Sequence, residues 1–401
     1  MPASAAPPAR AHGTTPAAPG GPPAALLMAG SCLPVLGAVL LAPVLPAVQR
    51  HFEAVPGGTA LVPLMLTVPA LSLALLAPFA GAVVDRLGRK RLLVAATLLY
   101  ALFGTVPLWL DSLYGIVASR VLVGVAEAAV MTCCTTLIGD YYTGRVRDRY
   151  LAAQTMCASA SATVFLALGG VLGAAGWRAP FWLYAVGLPL APLMARVLPA
   201  VTPAARPATD ERRPFPVRRM AGLCLLTVFG AVVFYTVPVE MSYLLADLGV
   251  ESTGVIGAVT ALASAATVLG SVLFTRRTGG PWRRLPLLFL LCAAGFLCMS
   301  VADGLPLLLV GAVLNCVGTG LLLPSLLTLA MSRLDFADRG RGTGLWTAAF
   351  FLGEFLCPLV LLGGKAALGD LSSAVGLLGL VTLVVPAALP VLGRRMDRVR
   401  P

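Results

Sequence analysis

Twelve apolar runs follow one another along this 401-residue chain. Each is close to the roughly 20 residues with which an α-helix crosses a hydrocarbon core. They occupy residues 24–46, 59–84, 91–110, 113–138, 148–174 and 180–198, then 220–246, 253–276, 284–303, 304–332, 341–364 and 370–393. Continuous runs of this length exclude a membrane β-barrel, whose strands are short and alternate. They also exclude a string of soluble domains. Hydrophobic residues make up 58% of the chain and charged ones 11%, against roughly 25% charged in a soluble domain, so a water-facing surface could not be covered. The expected class is an all-α integral membrane protein with the lipid bilayer as its solvent.

The net charge of +12 invites a nucleic-acid reading until the basic residues are placed. They form no single patch, and nucleic acid is not an expected partner. With the N-terminus inside, 25 of the 29 fall in inner segments; Arg50, Arg178 and Lys365 fall outside, and Arg120 lies within a span. Cytoplasmic loops accumulate Lys and Arg, so the expectation is a multi-pass protein of the cell membrane with both termini cytoplasmic.

Residues 1–23 are rich in Pro, Ala and Gly, and they are expected to be a disordered cytoplasmic tail. Residues 199–219 carry several prolines and mixed charge, and they read as a cytoplasmic linker between two six-span blocks, 24–198 and 220–393. Residues 394–401 complete the chain as a short tail. Blocks of equal size suggest an internal repeat. The basic turns Arg145–Leu151 and Arg339–Leu345 echo one another at the starts of spans 5 and 11. Two pseudo-symmetric six-helix bundles with a site between them is a transporter arrangement.

The nine cysteines all lie within apolar runs without metal or redox spacing, and there are only two histidines. No metal site and no cofactor are expected; the cysteines read as small hydrophobes packed between helices.

Between spans 2 and 3 the chain reads Gly81-Ala-Val-Val-Asp85-Arg86-Leu-Gly88-Arg89-Lys90-Arg91. Gly81 allows close helix approach, Gly88 allows the reversal, and Asp85 can pair with Arg89 or cap a helix. This stretch resembles the signature loop of the major facilitator superfamily, and the resemblance extends over residues 24–393. Arg120-Val-Leu-Val-Gly124 resembles the family's Arg-xxx-Gly motif. Gly176-Trp177-Arg178-Ala-Pro180-Phe181 is similar to the turn of drug-efflux-type, proton-antiporter-like members. The resemblance implies that Gly81, Asp85, Arg86, Gly88, Arg89 and Asp140 form a conformational latch, docking near Gly342 and Gly344. The span-5 antiporter motif is only half present: Gly169, Gly170 and Gly173 remain, but 158–168 holds no Gly-Pro.

Three acids fall within spans: Glu127, Glu240 and Glu354. A charge at the centre of an isolated helix costs roughly 2.5–3.5 kcal/mol on insertion scales, so such groups face a cavity or a partner. Arg120, Gly124 and Glu127 follow i, i+4, i+7 spacing and share one helix face. Glu127 and Glu354, with Arg120 nearby, are the proton-coupling candidates; a static Arg120–Glu127 pair that only orients helices is the alternative. Gln154, Tyr235, Glu240, Asn315 and Trp346 are the candidates for a substrate cavity. Hydrogen bonding between helices or interfacial anchoring would also explain them.

A phosphate-binding GxxxxGK[ST] loop is absent from the sequence, so a gradient must supply the energy. The expected function is secondary active transport of a small amphipathic molecule by alternating access. Proton-coupled efflux by a monomer is the leading form, and a proton-coupled metabolite importer or symporter of the same fold is the alternative. A non-transporting membrane sensor would need an output domain that tails this short do not provide. An enzyme would need a catalytic cluster at one depth, and none is visible.

Overall fold

A computed structural model describes residues 21–200, 217–276, 281–334 and 338–397 of the chain. The expected tail 1–23 and linker 199–219 therefore fall largely outside the described residues. Twelve helical segments are long and apolar enough to cross a membrane, and no strand occurs among the described residues. Helix begins at Gly21 and the last helix runs to Asp397, a few residues past the bounds expected from hydropathy.

Prolines decide where the spans bend. Span 1 is broken into Gly21–Val39, a 3-10 turn Ala42–Val44 and Leu45–His51, with Pro43 and Pro46 at the breaks. Proline lacks an N–H and fits the first turn of a helix, so each restart carries one, while continuous spans accommodate interior prolines such as Pro63, Pro69 and Pro78 of span 2. Span 6 likewise opens as a 3-10 segment, Ala179–Val186, before the α-helix Gly187–Val197. The remaining spans are Gly58–Leu87, Arg89–Thr105, Leu113–Tyr141 and Gly144–Gly173, then Val217–Asp247, Thr253–Arg276, Pro281–Ser300, Leu305–Ser332, Arg339–Leu368 and Leu371–Asp397. At the last turn the exposed Asp370 accepts hydrogen bonds from the Ser373 backbone N–H and hydroxyl, which hold its carboxyl below the usual carboxylate range.

Helix pairing repeats with a shift of six spans. In the first half span 4 packs on spans 2 and 3, span 1 on span 5, and span 3 on span 6. In the second half span 10 packs on spans 8 and 9, span 7 on span 11, and span 9 on span 12. Two long seams join the halves, span 5 on span 8 and span 2 on span 11, and the same shift exchanges them.

Small residues let those seams close. A Cβ on Gly170 would lie 2.7 Å from Gly257 Cα, and one on Gly257 would lie 2.6 Å from Gly170 Cα. Neither position tolerates a side chain without moving backbone. The half-present motif of span 5 therefore has a packing role: Gly169 meets Leu40 O of span 1, and Gly173 meets Val44 and Thr253. The nine cysteines are all free thiols, five of them buried among the helices.

Candidate functional site

Span 4 carries a buried polar stripe. Arg120 is fully buried, and its Nη2 donates a 2.7 Å hydrogen bond to Tyr184 Oη of span 6. The guanidinium also sits 4.5 Å from the Tyr184 ring centroid and 5.9 Å from that of Phe181, so an aromatic pocket disperses its charge. Tyr184 fits because span 3 has Gly104 opposite: a Cβ there would come within 2.3 Å of the tyrosine ring. Tyr100 packs on Tyr184 at 5.2 Å and donates to Leu33 O of span 1. Gly124 brings the same stripe against Pro69 and Ser72 of span 2.

Two turns further along, Glu127 is 2% exposed, and its Oε1 has no hydrogen-bond partner among the described residues. It does not form an ion pair with Arg120 there; seven residues of helix separate them by roughly 10 Å of rise. The orienting Arg–Glu pair weighed from sequence is thus replaced by an Arg–Tyr pair. Glu127 projects toward span 1, where Gly37 leaves it room: a Cβ on Gly37 would lie 1.8 Å from Glu127 Oε1.

Glu354 of span 11, 5% exposed, comes from the other half to the same place. Glu127 and Glu354 both line one small cavity of about 20 Å³ between the halves, with Pro34, Ala38, Leu66, Pro69, Ala70, Leu73, Tyr235 and Phe351. Its lining contains two carboxylates, one phenol and otherwise apolar groups, with no Lys, Arg or His. Tyr235 of span 7 donates its hydroxyl to Ala38 O, near the end of the first helix of span 1, and so ties the halves together across the cavity. Drug-sized ligands occupy roughly 300–1,000 Å³, so this cavity has room for about one water and is closed to a cargo of that size.

Of the five cavity candidates read from sequence, Tyr235 lines the cavity; the other four lie elsewhere. Gln154 donates to Ser31 Oγ at 2.8 Å and Thr135 Oγ1 at 3.1 Å, and so bonds spans 5, 1 and 4 within one half. Asn315 is fully buried where spans 9 and 10 touch, beside Gly295. Glu240 is 5% exposed on span 7, near Tyr243 and within electrostatic reach of Lys365 on span 11. Trp346 stacks on Phe350, eight residues before Glu354 on the same helix. Gln154 thus spends its polarity on bonds between helices, whereas both amide atoms of Asn315 and the Trp346 Nε1 have no hydrogen-bond partner among the described residues.

At the face where spans 2, 4 and 6 end, Arg89 and Asp140 form an ion pair between the starts of span 3 and the end of span 4. Gly88 has φ +83°, the left-handed region that permits the reversal. Arg86 is exposed, and the side chain of Asp85 lies outside the described residues. Gly81 departs from expectation: a Cβ there meets nothing within 4 Å among the described residues. On Gly344 of span 11 a Cβ would lie 3.5 Å from Ala77 O and 3.7 Å from Pro78 Cα of span 2, an ordinary contact. Gly342 faces Leu334 of its own half. Lys90 Nζ and Tyr141 Oη, on either side of the ion pair, donate to the carbonyls of Leu198 and Pro199 at the end of span 6.

Residues that sequence reasoning missed are Tyr184, Gly37, Gly104 and Gly257. Their signal was present but undirected: an aromatic or glycine in an apolar helix does not say which helix it will meet.

The model described as the Major Facilitator Superfamily matches residues 27–358. The tetracycline resistance protein, class C, of Escherichia coli is 32% identical over 46% of this chain and 46% of its own length. Multidrug resistance protein 1 of Bacillus subtilis (strain 168) is 26% identical over 84% of this chain and 87% of its own. The crystal structure of a D-xylose-proton symporter shares the fold, with TM-score 0.77 and 14% identity over 92% of this chain and 96% of that one.

Proposed function

The chain belongs to the Major Facilitator Superfamily of membrane transporters, and we propose that it carries out proton-coupled efflux of a small amphipathic molecule by alternating access. One observation carries the reading: Glu127 of one half and Glu354 of the other line a single cavity between the halves. A carboxylate there exchanges a proton and cargo for the same space, which links protonation to the choice between outward- and inward-facing states. Arg120, held by Tyr184, supplies a fixed positive field along the same helix face. The tetracycline- and multidrug-resistance relatives support the direction, since removal of a toxic compound from the cell confers resistance.

The two halves, 24–198 and 220–393, move against each other about that cavity, joined by the linker 199–219. The face bearing Arg89 is cytoplasmic, with both termini on that side and the protein in the cell membrane as a monomer. The Arg89–Asp140 pair, with Asp85, Arg86, Gly81 and Gly88, forms the latch that docks on Gly344. The missing Gly-Pro in span 5 favours one second reading, import by proton symport.

Inverted membrane vesicles with an imposed proton gradient separate the two. An efflux antiporter accumulates fluorescent amphipathic compounds inside such vesicles; a symporter depletes them. Glu127→Gln is expected to remain folded and lose the gradient-driven component. Full gradient-driven transport by that variant would remove the assignment.

A further inference from the structure

We propose that a second cavity, on the face opposite the Arg89–Asp140 pair, binds a small zwitterion with an aliphatic spacer, which bridges the two halves and holds that face closed. The site stands on its own geometry; its effect on transport rests on the alternating-access reading above.

This cavity measures about 530 Å³, against about 20 Å³ for the one between Glu127 and Glu354. Small ligands need roughly 300–1,000 Å³, so it has room where the central one does not. The first half contributes Arg50 and His51 from the end of span 1, and Gly173 and Trp177 from the end of span 5. The second half contributes Glu251 and Thr253 at the start of span 8. Between Gly173 and Thr253 the halves are in tight contact: a Cβ on Gly173 would lie 3.1 Å from Thr253 Cβ. The Gly170–Gly257 contact continues the same seam inward.

Opposite charges line this space from opposite halves, and they do not meet. Arg50 and Glu251 are exposed, and neither side chain has an ion-pair or hydrogen-bond partner among the described residues. The neighbouring Arg178 is committed elsewhere: it is tied to Asp111 and to the carbonyls of Pro107 and Leu110, and it lies 4.4 Å from the Trp177 ring centroid. Trp177 also packs on His51 at 5.1 Å and on Phe52 at 5.6 Å, which makes it a fixed apolar wall. A lone anion drawn to Arg50 would meet Glu251, and a lone cation drawn to Glu251 would meet Arg50. A molecule that carries both charges, joined by methylenes lying along Trp177, satisfies the two residues at once. Arg50 and Glu251 belong to different halves, so such a ligand binds the closed face better than the parted one and shifts the population toward it.

Equilibrium binding to the purified full-length chain in nonionic detergent, without any proton gradient, tests this with 6-aminohexanoate. Hexanoate and hexylammonium are its single-charge counterparts. Exposed ion pairs are weak, so millimolar dissociation constants are expected, with 6-aminohexanoate at least about fivefold tighter than either counterpart. Arg50→Gln should remove its advantage over hexylammonium, and Glu251→Gln its advantage over hexanoate. Both positions are exposed, so the fold should survive. The exchanged pair, Arg50→Glu with Glu251→Arg, should regain the affinity to within about threefold, because a zwitterion can turn round. A merely structural role for either residue would not give that recovery. Supplied to this face of the membrane in vesicles, 6-aminohexanoate should slow gradient-driven transport at least about twofold, and it should not do so in the single variants. No binding, equal affinity for the three probes, or unchanged binding in both single variants would overturn the site. Selective binding with an unchanged transport rate would overturn the clamp. Selective binding by a chain with no gradient-driven transport of any compound would instead overturn the efflux reading and leave the site standing.

Discussion

The two halves share a pairing scheme but bury different chemistry. The first half places a cation and an anion on one helix face: Arg120, satisfied by Tyr184, and Glu127, with an oxygen left open. The second half buries Glu240 and Glu354, and no arginine is buried in it among the described residues. Its two acids are also separated, since Glu354 reaches the shared cavity while Glu240 stays toward Lys365. A repeated scaffold thus supplies matching seams, and the residues buried within it differ between the halves. The first half carries the carboxylate with an open oxygen, and the second carries the one that meets it at the cavity.

The largest test of that contrast is to neutralise the second half's acids one at a time. Glu354→Gln should lower gradient-driven transport at least tenfold, because it removes a carboxylate from the cavity. Glu240→Gln should leave transport within about twofold, since its side chain does not line that space. Initial rates in vesicles measure both. Equal losses would mean that the two acids act as one unit, and the distinction drawn here between them would fail.

Next in size is the space on the first half's side. Gly37→Ala puts a methyl group where the Glu127 carboxylate lies, and the geometry leaves no room for both. The carboxylate must move, so transport should fall several-fold while the fold survives. Initial rates in vesicles measure it, and an unchanged rate would show that the position of the carboxylate does not matter. A smaller change isolates the arginine. Tyr184→Phe keeps the ring on Arg120 but removes its only hydrogen bond among the described residues, which should cost about 1–3 kcal/mol of stability. Thermal unfolding in detergent reads that loss, and an unchanged midpoint would show that the aromatic pocket alone holds the guanidinium.

How much of this was legible in the sequence follows from what a one-dimensional pattern encodes. Span number, the six-plus-six layout and the Arg120-Gly124-Glu127 face are local properties, carried by hydropathy and helical spacing, and they appear in the fold as expected. The meeting of Glu127 with Glu354 depends on which helices touch across the halves, over 227 positions of chain, and no local period encodes that. Gly37 and Gly104 were invisible for the same reason, since each matters through a side chain on a distant helix. Gly81 shows the converse. Its place in a recognisable loop suggested close packing, yet a Cβ there would meet nothing within 4 Å among the described residues, because loop resemblance says nothing about the partner surface.

The smallest expected effect on stability, and the most informative about motion, concerns the Arg89–Asp140 pair, for which no second-half counterpart is found among the described residues. Both side chains are about one-fifth exposed, and ion pairs at such positions contribute roughly 0–1 kcal/mol to stability. Arg89→Ala should therefore shift the unfolding midpoint little. The pair nevertheless joins the ends of spans 3 and 4, flanked by Lys90 and Tyr141, which anchor the end of span 6 through Leu198 and Pro199. On the latch reading proposed above, breaking it frees one conformational state, so a rate should change where a stability does not. Transport by Arg89→Ala should fall several-fold with binding of a transported fluorescent amphipathic compound unchanged, and the exchanged pair Arg89→Asp with Asp140→Arg should recover part of the rate. A variant that melts several degrees lower with a normal transport rate would make the pair a structural brace. The asymmetry between the halves would then reside entirely in the cavity.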